Sequence, residues 1–171
     1  GFPGDAAFLV MDGERPCLAA GGFDLICASL ALQWFGDIGA ALAGWAALLR
    51  PGGHLAFATL AAGTFATWTD AHRALGLSAG VPDYPAADCL AASFPGGGRS
   101  WIEIEPVQVP YPDGRTFLDT LRRIGADVPA EGHRPLPPGQ LRRVLRRFEP
   151  PAGIVETYET AYGFFRREDG A

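Results

Sequence analysis

The sequence contains no lysine, little cysteine and no long hydrophobic run. All 14 of its basic residues are arginine, and the net charge of −5 does not favour nucleic acid as a partner. No apolar run approaches the roughly 20 residues that a membrane-spanning helix needs. No charged and apolar leader precedes a cleavage site, so secretion is unsupported. We therefore expect neither a nucleic-acid-binding protein nor a membrane protein.

The cysteines and the missing motifs exclude further classes of protein. Cys17, Cys27 and Cys89 are scattered and form no C-x-x-C pair. An odd number of cysteines in an apolar setting predicts reduced thiols in the core of a cytoplasmic protein. The sequence also lacks H-E-x-x-H, G-x-S-x-G, Walker and G-x-G-x-x-G motifs, and its three histidines lie far apart. A metal enzyme or a hydrolase is therefore disfavoured.

Residues 23–60 form the clearest unit of the chain, and their pattern predicts a β-α-β unit of a parallel sheet. Residues 23–29 are nearly continuously apolar, which predicts a strand covered on both faces. Asp37 is the expected N-cap of the helix, and Arg50 is expected in its last turn, where a cation suits the helix dipole. A Pro-Gly-Gly turn then ends the helix, and residues 54–60 form the next apolar strand.

A polar turn precedes this unit and follows a strand-like apolar run over residues 6–10. In an open parallel sheet, ligands bind outside the carboxyl ends of the strands. The turn therefore shares a rim with the residues that follow the strand over 23–29. The alternative for Asp12-Gly13 is a simple turn signal. The predicted rim residues are Asp12, Gly13, Glu14, Ser29, Leu30, Gln33 and Trp34.

The rest of the chain predicts four more helices and two more strands in a single domain over residues 1–171. Asp113 is the expected cap of one of these helices, and Pro106 indicates an edge strand or a bulge. A helical insertion is expected around residues 113–148, between the last two strands. The predicted helices are 65–75, 86–94, 114–124 and 140–148, and the predicted strands are 101–111 and 155–165.

Arginines cluster in the second half of the chain. Eight of the 14 lie between Arg115 and Arg147, where only three acidic residues occur. On the predicted helix over 140–148, four of them occupy the face opposite the apolar residues, which by default is a solvated face. These four are Arg142, Arg143, Arg146 and Arg147.

The segments FDLICASLALQW, LLRPGGHLAFATL and AAGT, in this order, resemble the second half of the S-adenosylmethionine-dependent methyltransferase fold. The later segments LRRIGAD, GHRPLPPGQLRRVLRRF and ETYETAYGFFRR resemble the malonyl-acyl-carrier-protein O-methyltransferases of biotin synthesis. The resemblance covers nearly the whole chain. It implies an α/β fold with a Rossmann-like methyltransferase sheet, and methylation of the free malonyl carboxylate.

The resemblance also implies S-adenosylmethionine as cofactor. Asp12 would accept a hydrogen bond from the adenine amine, the Gly13 N–H would meet a ring nitrogen, and Glu14 belongs to the same turn. Ser29 and Leu30 would contact the methionine part through their backbone, and Gln33 and Trp34 would line the reacting end. Because a carboxylate is already nucleophilic, positioning and desolvation would supply most of the effect, so no catalytic acid or base is predicted.

For the substrate, the resemblance implies a cation near the malonyl carboxylate, because an unpaired buried charge is costly. Arg122 matches a basic position before I-G-A in the family, and Arg123 is the second choice. Thr64 and Tyr84 complete the predicted substrate set. The alternative is that both arginines lie on a solvated helix face. The four arginines of the 140–148 helix would steer an acidic acyl-carrier protein.

The family pattern begins earlier than this sequence does. We expect a sheet that lacks the strand with the glycine-rich loop and its neighbour, which leaves an unpaired edge beside residues 23–29. The sequence is then part of a longer protein, a truncated gene product, or a chain completed by another one. Weak or absent S-adenosylmethionine binding is expected for this chain alone. The contrasting hypothesis is a non-catalytic methyltransferase-like assembly or scaffold protein, or another small-molecule methyltransferase.

Overall fold

The computed structural model describes residues 6–124, 126, 128–130, 132–151 and 153–169. Within these residues the chain forms one sheet with the strand order β1-β2-β4-β3. Gly125 and Asp127 of the LRRIGAD segment lie outside the described residues. The elements are β1 (Phe23–Ser29), α1 (Ile38–Leu48), β2 (Leu49–Leu60), α2 (Ala66–Arg73), α3 (Ala87–Ala92), β3 (Gly98–Tyr111), α4 (Gly114–Arg123), α5 (Pro138–Phe148) and β4 (Ile154–Arg167).

The predicted β-α-β unit is confirmed, since β1 pairs with β2 in parallel. The Asp37 cap is also confirmed, because its Oδ1 accepts a hydrogen bond from Ala40 N at 2.9 Å. The prediction for Arg50 is wrong. The pairing of β2 with β1 begins at Leu49, which places Arg50 in the strand, and its Nη1 donates to both carboxylate oxygens of Asp24 at 2.9 Å.

The prediction of a first strand covered on both faces is also wrong. Leu25 is 58% exposed, so one face of β1 is not covered. The unpaired edge expected beside residues 23–29 is confirmed, since β1 lies at an edge of the described sheet. The apolar run over residues 6–10 forms no strand, and Phe8 is 85% exposed. An apolar run becomes a strand only where another strand satisfies its backbone groups. The three cysteines are free, but all are exposed, so their predicted place in the core is wrong.

Contacts divide the chain into two compact units. The first comprises Gly1–Thr59, Asp88–Glu103 and Tyr162–Ala171. Its core centres on Leu42, Trp45, Phe57 and Phe165. Gly163 allows the close packing of Phe57, because a Cβ there would lie 2.1 Å from the ring. This unit holds β1, α1, α3 and nearly all of β2.

The second unit comprises Leu60–Ala87 and Ile104–Ala161, so β3 and β4 contribute residues to both units. Its core is aromatic. The ring of Phe117 packs against Phe65, Trp68, Tyr111 and Phe148, with centroids 5.2–5.7 Å apart. Aromatic pairs in such tilted and edge-on arrangements add stability beyond the area they bury.

The helices between β3 and β4 belong to the second unit. The predicted Asp113 cap of α4 is confirmed, because Oδ1 accepts a hydrogen bond from Thr116 N at 2.6 Å. That bond lowers the pKa of the Asp113 carboxyl. In α5, Val144 and Phe148 are fully buried, so one face of the helix completes the aromatic core. Among the described residues, no helix combines the length and the apolar character that crossing a membrane requires.

Candidate functional site

The acidic turn before β1 is tied to the start of α1 within the first unit. The Glu14 carboxylate accepts hydrogen bonds from Gly36 N at 3.2 Å and from Asp37 N at 2.7 Å. Gly13 O accepts one from Trp45 Nε1 at 2.8 Å. Asp12 Oδ1 accepts from Glu14 N at 2.9 Å. Glu14 therefore holds the turn against the helix, and its role toward a cofactor stays a prediction.

The residues after β1 form a second hydrogen-bonded group in the same unit. Leu30 has a φ of +50°, which is unusual for a bulky residue, and its N–H donates to Ala58 O at 2.8 Å. Gln33 Nε2 donates to Leu30 O at 2.8 Å, and Thr59 Oγ1 donates to Gln33 Oε1 at 3.2 Å. The Gln33 amide therefore fixes the turn that follows Ser29. No sequence pattern identifies Thr59 as its partner.

These groups suit S-adenosylmethionine in part. The Asp12 side chain is exposed, and its Oδ2 is 3.7 Å from Arg15 Nε, so it can accept another donor. Trp34 is 48% exposed and offers an aromatic face. Glu14 fits less well, because both of its oxygens already accept backbone hydrogen bonds. The predicted cofactor residues thus lie in one unit. Asp12 and Trp34 keep groups available for binding, whereas the backbone of Leu30 and the side chains of Gln33 and Glu14 already form hydrogen bonds within the protein.

The second unit contains a cavity of about 380 Å³. Ligand pockets typically start at about 300 Å³ and combine an apolar lining with a few polar groups. Among the described residues, three polar side chains line this cavity, Tyr84, Arg122 and His133. The apolar lining includes Phe65, Trp68, Leu118, Leu121 and Leu141. The cavity can therefore hold an apolar chain that carries an anionic or hydrogen-bonding end.

Arg122 is the cation of this cavity. It is exposed, and its Nη1 donates to Asp119 Oδ1 at 2.9 Å. Arg115 also pairs with Asp119, at 3.7 Å, so one carboxylate is shared between two guanidinium groups. Arg122 keeps further N–H donors for a ligand. Arg123 is exposed and is not among the lining residues.

Tyr84 and His133 complete the polar lining. Burial raises the pKa of the Tyr84 phenol, so it remains a neutral donor at physiological pH. The His133 ring packs directly on Gly80, where a Cβ would lie 2.7 Å from the ring. A backbone hydrogen bond from Ala130 N to Gly80 O, at 2.8 Å, joins the two loops beside it. Sequence reasoning missed His133 as a cavity residue, although it lies in the segment GHRPLPPGQLRRVLRRF that carries part of the resemblance.

Thr64, the remaining predicted substrate residue, is 4% exposed and lies against β4. Its hydroxyl donates to Glu159 O at 3.2 Å and accepts from Glu159 N at 3.0 Å. Gly63 N donates to Glu159 Oε2 at 2.7 Å. Both hydrogen-bonding roles of the Thr64 hydroxyl are therefore used within the protein, and its contact with a substrate stays a prediction.

Phe65 begins α2 in the left-handed conformation, with φ +59°. A bulky residue in this region carries about 1–2 kcal/mol of strain. The N-cap position of α2 has no side-chain hydrogen bond of its own. Instead, the buried Glu156 carboxylate accepts from Thr67 N at 3.2 Å and from Trp68 N at 2.8 Å. Sequence reasoning missed this residue as well, since it lies 88 positions from Trp68.

The four arginines of α5 lie on its exposed face. In the part of the chain that the structure describes, none of the four forms an ion pair. The α4 arginines at positions 115 and 122 differ, because Asp119 neutralises part of their charge. The α5 face therefore presents unbalanced positive charge. The described residues contain no group of three potential metal ligands.

Comparison with known proteins places this arrangement in a class. Residues 2–57 match a methyltransferase-domain family. A putative methyltransferase from Bacillus halodurans matches 95% of this chain and 78% of its own, with a TM-score of 0.56 and 12% identity. The YcgJ protein from Bacillus subtilis matches 92% of this chain and 69% of its own, with a TM-score of 0.58 and 12% identity. These likenesses show the fold alone: the chain has the Rossmann-like fold of S-adenosylmethionine-dependent methyltransferases.

Sequence relatives narrow the class. The Biotin biosynthesis bifunctional protein BioCD of Bordetella avium is 47% identical over 166 residues, which are 96% of this chain and 35% of that protein. The malonyl-[acyl-carrier protein] O-methyltransferase of Magnetococcus marinus is 41% identical over 167 residues, 97% of this chain and 62% of that protein. The chain is thus a relative of the malonyl-[acyl-carrier protein] O-methyltransferases, and it spans less than two thirds of these two proteins.

Proposed function

We propose that this chain is part of an S-adenosylmethionine-dependent carboxyl O-methyltransferase that methylates the malonyl carboxylate of malonyl-acyl-carrier protein in biotin precursor synthesis. The observation that carries the proposal is the identity of 47% and 41% to the two relatives over nearly the whole chain. The apolar cavity with Arg122 on its wall supports it, because a carboxylate on a short acyl chain needs both features. No observation favours the scaffold hypothesis.

S-adenosylmethionine would supply a methyl group on a sulfonium, which is a good leaving group. Asp12, Gly13 and the Ser29–Trp34 turn would hold it, with Gln33 and Trp34 toward the reacting end. Arg122 would orient the malonyl carboxylate, and the aromatic lining would exclude water. Because the carboxylate is already nucleophilic, the residues of the chain contribute by positioning and desolvation.

The carrier-protein partner is also a proposal. The exposed α5 arginines are matched by no acid in the described residues, so they are free to attract an acidic surface. Reversing the charge of Arg142 and Arg146 to glutamate should weaken carrier binding and flatten its salt dependence, as measured by surface plasmon resonance. A matched reversal at Arg115 and Arg123 of α4, two exposed arginines that do not line the cavity, tests whether position matters. Unchanged carrier binding in the α5 variant would contradict the proposal.

Such a reaction with a carrier protein also suits a cytoplasmic location.

The decisive experiment is a chimera in which this chain replaces the matching region of the Magnetococcus marinus relative. The chimera is incubated with malonyl-acyl-carrier protein and S-adenosylmethionine, and intact-protein mass spectrometry detects the methyl ester. We expect methylation by the chimera and strong loss in Arg122→Gln, while Arg123→Gln keeps most activity. An inactive chimera that melts as cooperatively as its active parent would overturn the proposal.

A further inference from the structure

The start of α2 carries two of the residues that line the cavity, Phe65 and Trp68. Phe65 holds its left-handed conformation although nothing in its own segment caps the helix. Its ring is buried, with centroids 5.0 Å from Tyr158 and 5.7 Å from Phe117. The wall of the cavity therefore depends on a backbone turn that its local sequence does not favour.

β4 supplies the groups that keep this turn in place. Phe65 N donates to Thr157 O at 2.9 Å. In the first turn of α2, the N–H groups of Thr67 and Trp68 donate to the two oxygens of Glu156. Glu156 Oε1 also accepts from Thr157 N at 2.9 Å. The backbone N–H groups of Phe65, Thr67 and Trp68 thus donate to two adjacent residues of one strand.

Burying the Glu156 side chain costs solvation free energy, which is unusual for a residue with a purely structural role. Glu156 is 0% exposed, and its carboxylate accepts hydrogen bonds from the backbone N–H groups of Thr67, Trp68 and Thr157. A buried carboxylate is costly unless hydrogen bonds compensate it, and the positive end of a helix adds to that compensation. Both oxygens are occupied, so the carboxylate holds two points of the helix start at once, which a single hydroxyl acceptor could not do.

We propose that Glu156 is a positioning residue that fixes the Phe65 wall of the cavity and thereby sets the shape that the acyl substrate meets. The significance for substrate rests on the proposed function. The positioning itself rests only on the contacts between Glu156, the α2 start and Phe65. Glu156 does not line the cavity, and it acts through Phe65.

The test compares Glu156→Gln with Asp70→Asn in the full chain. Asp70 is a matched control, because it is a carboxylate on the exposed side of α2, paired with Arg73 and absent from the cavity lining. A 4-fluorophenylalanine placed at position 65 reports the ring environment by ¹⁹F NMR. Malonyl-pantetheine, a malonyl thioester without the carrier, probes the cavity by calorimetric titration. All samples are measured well below their melting temperatures.

We expect Glu156→Gln to shift and broaden the ¹⁹F resonance of position 65 and to weaken malonyl-pantetheine binding about tenfold, since an amide leaves one buried backbone donor without its acceptor. Asp70→Asn should change neither. Glu156→Asp, one methylene shorter, should restore charge but not the resonance. An unchanged resonance in a folded Glu156→Gln protein would overturn the inference. Failure of the unmodified chain to bind malonyl-pantetheine would instead overturn the proposed substrate placement, while the resonance still decides the role of Glu156.

Discussion

The helices α1 and α2 begin in different ways. At α1, Asp37 accepts a hydrogen bond from Ala40 N three residues later, and Glu14 adds two bonds to the preceding turn. At α2, no side chain of the segment caps the helix, and Glu156 of β4 does so from far along the sequence. α1 carries the information for its own start, whereas α2 depends on the arrival of a distant strand.

This difference has a functional side. The start of α1 is hydrogen-bonded to the acidic turn that is predicted to hold the cofactor, and its N-cap side chain, Asp37, belongs to its own segment. α2 lines the cavity proposed for the acyl substrate, and its start is fixed by a buried charge. A cap that lies in another element can change the cavity wall without any change in the helix sequence. We therefore expect mutations of the two caps to differ in how much unfolding free energy they remove and in which binding function they affect.

The largest expected effect is that of Glu156→Ala on stability. It leaves the N–H groups of Thr67 and Trp68 without their acceptor and removes a third bond to Thr157, so we expect the free energy of unfolding to fall by about 3 kcal/mol. Urea denaturation followed by circular dichroism measures it. Glu103→Ala, at an exposed position of β3, is the matched control and should change stability by less than about 0.5 kcal/mol. Equal losses in the two variants would contradict the role of Glu156 as a cap.

Replacing Asp37 should weaken α1 by less. Removal of an N-cap side chain costs about 1 kcal/mol. The cost is smaller here because the N–H group that loses its acceptor is exposed and can bind water instead. Asp37→Ala should therefore lower the unfolding free energy by about 1 kcal/mol, and Asp37→Ser should recover most of it. If Asp37→Ala cost as much as Glu156→Ala, the contrast between local and distant capping would fail.

Glu14→Gln distinguishes a structural role from a cofactor role. Its carboxylate accepts two backbone hydrogen bonds near the surface, and an amide can accept only one of them, so we expect a loss of about 0.5–1 kcal/mol in stability. Calorimetric titration of S-adenosylmethionine into the chimera provides the second measurement. If stability were unchanged and cofactor binding were weaker, the result would show that Glu14 binds the cofactor and does not hold the turn.

The smallest expected effect is the pH dependence contributed by His72 in α2. Burial lowers its pKa from the ordinary value of 6.5, the hydrogen bond to Trp68 O opposes this, and His133 lowers it further. A histidine whose pKa is lower in the folded state favours folding above pH 6.5 and loses that contribution as the pH falls toward the lowered value. Urea unfolding at several pH values should show a decline below pH 6.5 that is weaker in His72→Gln. A steeper decline in His72→Gln would refute the sign.

Much of the fold could be read from local sequence. The helix that begins at Ile38, the caps Asp37 and Asp113, and the edge character of the strand with Pro106 all follow from short-range rules, and the structure confirms them. The helix ends at Leu48, one residue before the last apolar position of the predicted pattern. Errors arose where an apolar run was read without its neighbours. Residues 6–10 and 23–29 look like buried strands by composition, yet burial depends on what packs against them.

The candidate site was predictable to a smaller extent. Arg122 and Tyr84 were named by resemblance, and they line the same cavity. His133, Glu156 and Thr59 were not found, because each acts through a partner far away in the sequence. Periodicity describes which face a residue takes, but it carries no information on which distant backbone group a carboxylate or amide will reach.

The two ends of β4 have a consequence for the order of folding. Near its start, Glu156 completes the beginning of α2, and at its end Arg167 Nη1 donates to Leu49 O at 2.5 Å, just beyond the last turn of α1. These contacts join residues 88 and 118 positions apart, and such long-range contacts slow folding, because large loops must close first. The end of α1 and the start of α2 are therefore completed only when the last strand enters the sheet.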